Sequence, residues 1–146
     1  MNIQIRQATK EDLPSILNLY ATVLDKGEVL SIGQAEMLFT KMATYPNYKV
    51  YIAEIEQKII GTFALLIMDN LAHLGTPSAV VEDVVVSADF QGKGIGKAMM
   101  IFAMEKCKAE GCYKLVLSSN VKRHEAHAFY ESLQFEKHGF SFRKKL

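Results

Sequence analysis

A chain of 146 residues is one domain by length and can bury roughly two-thirds of the surface that its unfolded form exposes. With 49% hydrophobic and 23% charged residues it fits neither a disordered nor a membrane-embedded class, and a formal charge of +1 leaves no electrostatic footprint for nucleic acid. No run reaches the ~18 apolar residues of a membrane span, the chain opens without a signal-type apolar run, and Cys107 and Cys112 lack metal-ligand or redox spacing, so a cytoplasmic protein with reduced thiols is expected.

Ile3 and Ile5 alternate with Gln4 and Arg6, predicting a short strand, and Thr9-Lys-Glu-Asp12 then offers a cap and acids for a helix. Leu13, Ile16, Leu17, Tyr20 and Leu24 give that helix one apolar face, Pro14 is tolerable in its first turns, and Gly27 marks the break. Ser31 to Met42 predicts a second amphipathic helix, closed by Tyr45-Pro46-Asn47. Two strands follow, about Tyr48 to Ile55 and Lys58 to Met68, joined at Glu56-Gln57 with hairpin spacing but without the usual glycine. Asn70 to Pro77 reads as a loop holding His73. Beta-branched residues from Val80 to Val86 predict the next strand. Ala98 to Met104 belongs to a helix apolar nearly all round, which Gly111 stops. Cys112 to Ser118 reads as a buried strand, parallel to the preceding one because a crossover helix separates them. Arg123 to Ser132 predicts a short helix, and Phe135 to Phe142 a last strand.

The chemistry concentrates between Val81 and Lys97, where a strand carrying Glu82 and Asp83 runs into Gly92-Lys-Gly94-Ile-Gly96-Lys97 at the start of a helix. Free N–H groups and a partial positive charge at a helix N-terminus favour an anion, and glycine allows close approach to the backbone. The spacing excludes two nucleotide motifs. Three residues separate Gly92 from Gly96 where a P-loop needs four, and Ala98 stands where its hydroxyl belongs; G-x-G-x-G is not the dinucleotide G-x-G-x-x-G.

What fits is Gln-x-x-Gly-x-Gly, supplied by Gln91, Gly94 and Gly96 after Val84-Val85-Val86. Here the sequence resembles the GNAT superfamily of acyl-CoA-dependent N-acetyltransferases, as do Arg6-Gln-Ala-Thr-Lys-Glu-Asp12, Ile59-Ile60-Gly61 and Ala128-Phe129-Tyr130. Leu133-Gln134-Phe135 departs from the family's usual Leu-Gly-Phe. The segment Ser118 to Tyr130, the Phe140-Ser-Phe142 pair and the Lys145-Leu146 end are similar to the aminoalkylphosphonate N-acetyltransferases. Val81-Glu-Asp-Val and Gly111-Cys-Tyr-Lys114 are similar to the glucosamine-6-phosphate N-acetyltransferases. The resemblance implies a single α+β domain over residues 1–146 with the GNAT fold: a central mixed, mostly antiparallel sheet of six or seven strands, with about four helices.

It also implies acetyl-CoA as cosubstrate and a small-molecule amine as acceptor, the amine bearing a phosphonate or phosphate, with neither nucleic acid nor membrane as partner and room for a homodimer. The backbone of Gln91, Gly92, Lys93, Gly94, Ile95, Gly96 and Lys97 would hold the CoA pyrophosphate. Val84, Val85 and Val86 would pair with the pantetheine as an added strand, and Asn120 would contact the CoA arm or cap an Asx turn. Tyr130 is the expected general acid for the leaving thiolate. Glu82 and Asp83 alternate along a strand, so one of them can face the cleft; Glu82 is the first candidate base and Asp83 its rival. His124 and His127, three apart on a helix, have no third metal ligand in view, and no metal is expected. Lys122, Arg123 and His73 are weaker candidates for a substrate oxyanion. Acylation of a protein or peptide amine, or CoA binding without turnover, are the competing functions.

Overall fold

The computed structural model describes residues 1–146 as two compact units, Met1–Val116 and Leu117–Leu146. The first holds β1 (Gln4–Gln7), α1 (Leu13–Leu19), α2 (Ile32–Met42), β2 (Tyr48–Ile55), β3 (Lys58–Met68), β4 (Ser78–Val86), α3 (Ile95–Ala109) and β5 (Leu115–Val116). The second holds α4 (His124–Ser132).

One five-stranded sheet runs in the order β1-β2-β3-β4-β5, antiparallel except for the parallel β4–β5 pair. Two expectations are corrected. The sheet has five strands rather than six or seven, and the stretch from Cys112 to Ser118 contributes only the half-buried pair Leu115 and Val116. Phe135 to Phe142 forms no strand: it pairs with none of the five, and Phe140 and Phe142 stand 91% and 93% exposed, with no core beneath the side that their alternation marks as apolar.

Elsewhere local chemistry and structure agree. The β2–β3 hairpin turns at Glu56 (φ 48°) and Gln57 (φ 66°), so both central residues take the left-handed conformation of a tight hairpin without a glycine. At the end of α3, Gly111 (φ 75°) lets Cys112 N–H donate to Cys107 O at 2.9 Å and Gly111 N–H to Lys108 O at 3.1 Å, the paired bonds of a Schellman stop. The same motif ends α4, with Gln134 (φ 67°) in place of glycine and bonds Phe135 N–H to Tyr130 O at 3.1 Å and Gln134 N–H to Glu131 O at 2.9 Å. The familiar turn is therefore kept at a left-handed strain of about 1 kcal/mol.

Helices cover both faces of the sheet. On one, Ile16 of α1 packs on Val50, Ile52 and Ala64, with Tyr20, Phe39 and Tyr48 at the margin. On the other, Phe102 of α3 meets Tyr51 and Phe63 edge-on, their ring centroids 5.2 and 6.4 Å away, and Met99, Met100 and Ala103 are fully buried. Gly61 permits this approach: a Cβ there would lie 3.0 Å from Met99 Sδ and 3.2 Å from Val85 O.

An ion cluster fastens the start of the chain. Arg6 donates to both carboxylate oxygens of the buried Asp12, at 2.7 and 3.0 Å, and to Glu54 at 3.2 and 3.3 Å, while Thr9 N–H donates to Asp12 Oδ2 at 2.7 Å. These bonds, Arg6 foremost, hold the Asp12 carboxyl below its ordinary value of 3.8. A depressed folded pKa gives stability that is complete above the unfolded value and is lost as pH falls through the folded one. Asp12→Asn should cost about 1–2 kcal/mol in urea unfolding at pH 7, and much less once the pH is taken well below 3.8. An equal cost at both pH values would show that the charge is not what matters.

Candidate active site

β4 organises the site through two irregularities. Thr62 pairs with Val85 and Ala64 with Glu82, so Asp83 and Val84 together oppose the single residue Phe63. This is a bulge, and Asp83 accommodates it with φ 52°, a region that aspartate tolerates better than most residues. The strict alternation expected of Glu82 and Asp83 is therefore broken. Both residues are exposed. The second irregularity is that β4 and β5 pair only at Ala79–Leu115 and Val80–Val116, which frees the β5-side edge of β4 from Val81 onward. Val84 and Val86 are half-buried and Val85 is fully buried, so the side chains are sheet packing while that edge presents backbone.

Beyond β4 the chain makes a short 3-10 turn at Ala88–Phe90 and the glycine turn, Gln91 Nε2 donating back to Val86 O at 3.1 Å. Gly92 (φ 73°) and Gly94 (φ 85°) are left-handed, and a Cβ on either would meet no atom within 4 Å, so the turn lies open. Gly94 caps α3, and Ala98 N–H, bonded to Gly94 O at 3.0 Å, is the first to enter the helical ladder. The amides of Ile95, Gly96 and Lys97 are thus the free donors of a 15-residue helix. Lys93 Nζ and Lys58 Nζ sit over the Phe90 ring, 5.2 and 5.3 Å from its centroid, which adds a cation that the sequence order had hidden. Open glycines, unpaired amides and nearby ammonium groups suit a pyrophosphate.

At the acid end, α1 continues into a π-helical turn, Tyr20–Leu24, closed by Asp25 N–H to Tyr20 O at 2.7 Å, and this turn packs against β4. It brings Tyr20 and Asp25 to Asp83. Burial first and Asp83 second push the Tyr20 phenol up to about 12. Tyr48 is raised in the same way, by burial and then by Asp83 and Glu82. Asp83 is itself raised from its ordinary value, by loss of hydration and then by Asp25. Sequence reading took Tyr20 for core alone. The signal that it missed is the π turn, which periodicity cannot show and which recurs at functional sites.

Beside this cluster lies an open cavity of about 720 Å³, with Tyr20, Asp25, Glu28, Val29 and Leu30 in its wall. His73 lies on the Asn70–Pro77 loop, its ring tilted against that of Tyr113 with centroids 4.6 Å apart.

Tyr130 and Asn120 belong to the second unit. Tyr130 packs between Phe129 and Phe135, centroids 5.1 and 5.7 Å away, and burial raises its phenol while Arg123 lowers it. Asn120 forms the Asx turn, its Oδ1 accepting from Lys122 N–H at 2.9 Å. His127 Nε2 lies 2.8 Å from Asn120 O, and His124 meets His127 edge-on with centroids 5.9 Å apart.

Residues 13–135 match the acetyltransferase (GNAT) family. Over 138 residues the chain is 28% identical to a glucosamine 6-phosphate N-acetyltransferase of Trypanosoma brucei brucei, covering 94% of this chain and 92% of that protein. Over 143 residues it is 28% identical to an aminoalkylphosphonate N-acetyltransferase of Salmonella typhimurium, covering 98% and 91%. The crystal structure of glucosamine-6-phosphate N-acetyltransferase from Arabidopsis thaliana superposes with a TM-score of 0.87 at 26% identity, covering 99% of both chains. The family match spans most of the chain, and the chain belongs to the GNAT acetyltransferases.

Proposed function

We propose that residues 1–146 act as one cytoplasmic domain that moves the acetyl group of acetyl-CoA directly to a small primary amine, with no covalent enzyme intermediate. The observation that carries this reading is β4: its β5-side edge is free from Val81, and it runs straight into the open amides of the glycine turn. The backbone of Gln91, Gly92, Lys93, Gly94, Ile95, Gly96 and Lys97 binds the pyrophosphate, and that of Val84, Val85 and Val86 pairs with the pantetheine. Asn120, with its Oδ1 in the Asx turn, keeps its amide nitrogen for the CoA arm.

The roles of the side chains follow from proton balance. The amine nitrogen forms a C–N bond to the thioester carbonyl carbon as the C–S bond breaks; one proton leaves nitrogen and one must reach sulfur. Asp83 takes the first, and its raised pKa supports it over Glu82 as the base. Tyr130 gives the second and is reprotonated from solvent, and a phenol raised by burial keeps its proton at rest. The two relatives are named for amines that carry a phosphorus oxyanion.

Calorimetry with CoA and thiol release from acetyl-CoA with an amine panel test the reading. CoA should bind, and at least one primary amine should release thiol. Tyr130→Phe should lower kcat about 100-fold at neutral pH with CoA affinity kept. Failure of CoA to bind would refute the function, and unchanged kcat in the variant would remove the acid role.

A further inference from the structure

The turn that carries Asn120 is held by three hydrogen bonds, and one of them differs in kind. Asn120 Oδ1 accepts from Lys122 N–H at 2.9 Å and Asn120 O from Arg123 N–H at 3.0 Å, bonds that close the turn on itself. The third joins Asn120 O to His127 Nε2 at 2.8 Å and spans seven residues, tying the turn to α4. A carbonyl oxygen can only accept, so Nε2 carries the hydrogen and donates. That nitrogen is closed to a metal, although the His124 ring meets His127 edge-on.

The helix end of this bond is fixed. His127 N–H donates to Arg123 O at 3.0 Å, which places the residue within the helical ladder, and its side chain is half-buried. At the other end both oxygens of Asn120 are engaged, so the group left to a ligand is the side-chain amide nitrogen. Without His127 the two local bonds would still shape the turn, but nothing among these bonds would fix its angle to α4. Tyr130 lies three residues beyond His127, on the same side of that helix.

Resting on the transferase reading, we infer that His127 is a positioning residue: it holds the Asn120 turn against α4 so that the Asn120 amide meets the CoA arm at a set distance from Tyr130, and it does not itself touch the cosubstrate. The ring donates from Nε2 whether neutral or an imidazolium, so its part is that of a donor and not of a charge.

Calorimetry with CoA tests this. His127→Leu, which fills space but cannot donate, should bind CoA about fivefold to tenfold more weakly than the parent. The loss should appear in KM for acetyl-CoA with kcat changed less than about twofold, the opposite of Tyr130→Phe. A glutamine amide reaches the place of Nε2 and an asparagine amide only that of Nδ1, so His127→Gln should restore affinity to within about twofold of the parent and His127→Asn should not. A histidine that only stabilises the fold would act whatever stands at residue 120. In an Asn120→Ala background, which keeps the carbonyl and removes the amide, His127→Leu should instead change Kd less than about twofold. Should His127→Leu unfold, the contrast between His127→Gln and His127→Asn decides the matter. Unchanged affinity in His127→Leu or in Asn120→Ala, an equal loss in both backgrounds, or rescue by asparagine rather than glutamine would each overturn the proposal and leave the transferase reading standing. Failure of the parent to bind CoA would overturn that reading itself.

Discussion

Gly94→Asp is expected to weaken CoA binding about 100-fold while leaving the protein folded. Gly94 is left-handed (φ 85°) at the cap of α3, and its missing Cβ faces open space. An aspartate there carries a left-handed penalty of about 1 kcal/mol, much of it recovered because aspartate is a good cap and its charge favours the helix N-terminus. Against a bound pyrophosphate the same charge is costly. At about 5 Å with an effective dielectric near 20, the repulsion is roughly 3 kcal/mol, on the order of 100-fold in Kd. Gly94→Asn serves as the comparison, since it keeps the cap, the volume and the tolerance of positive φ but not the charge. Calorimetry should show a much smaller loss for it, with both variants unfolding near the parent temperature. If Gly94→Asp bound CoA as tightly as the parent, the glycine turn would not be the pyrophosphate site.

The parts of this chain legible from sequence are those fixed by nearest neighbours. Apolar runs at Tyr48–Ile55 and Lys58–Met68 with hairpin spacing between them set both strands, and the amphipathic pattern from Ser31 to Met42 set α2, which Ser31 caps, Gln34 N–H donating to Ser31 Oγ at 3.3 Å. Glycine spacing marked the open N-terminus of α3. What escaped depends on partners distant in sequence. Phe135 to Phe142 has a strand's pattern, but a pattern does not supply a neighbour to accept its hydrogen bonds. The bulge at Asp83 arises because two residues of β4 oppose one of β3, a register fact invisible in either strand alone. The meeting of Tyr20, Asp25 and Asp83 follows from that bulge and from the π turn together. Alternation could say only that one of Glu82 and Asp83 faces the cleft; Glu82 was put first on the resemblance, and the surroundings that favour Asp83 come from the fold.

Asp83→Asn should then reduce kcat/KM by 100-fold or more, within the roughly 10²–10⁴ attributed to general base catalysis, and leave CoA affinity unchanged. Asparagine accepts positive φ as readily as aspartate, so the bulge is kept and the loss is chemical rather than structural. Glu82→Gln, by contrast, should change kcat/KM less than about tenfold; the reverse ranking would return the base role to Glu82. The pH dependence has a definite sign. The base must be ionised, and Asp83 is raised above 3.8 by lost hydration and by Asp25, so the acid limb of kcat/KM should lie above the ordinary carboxylate range. Stability moves the other way. A carboxyl whose folded pKa is raised binds protons more strongly folded than unfolded, so its contribution is harmless below the unfolded pKa and becomes unfavourable as pH rises through the folded one. At neutral pH the ionised Asp83 opposes folding, and Asp83→Asn should raise the unfolding temperature as it removes activity. A base retained at such a cost to the fold is consistent with a catalytic position, and a variant both less stable and fully active would contradict each half of this account.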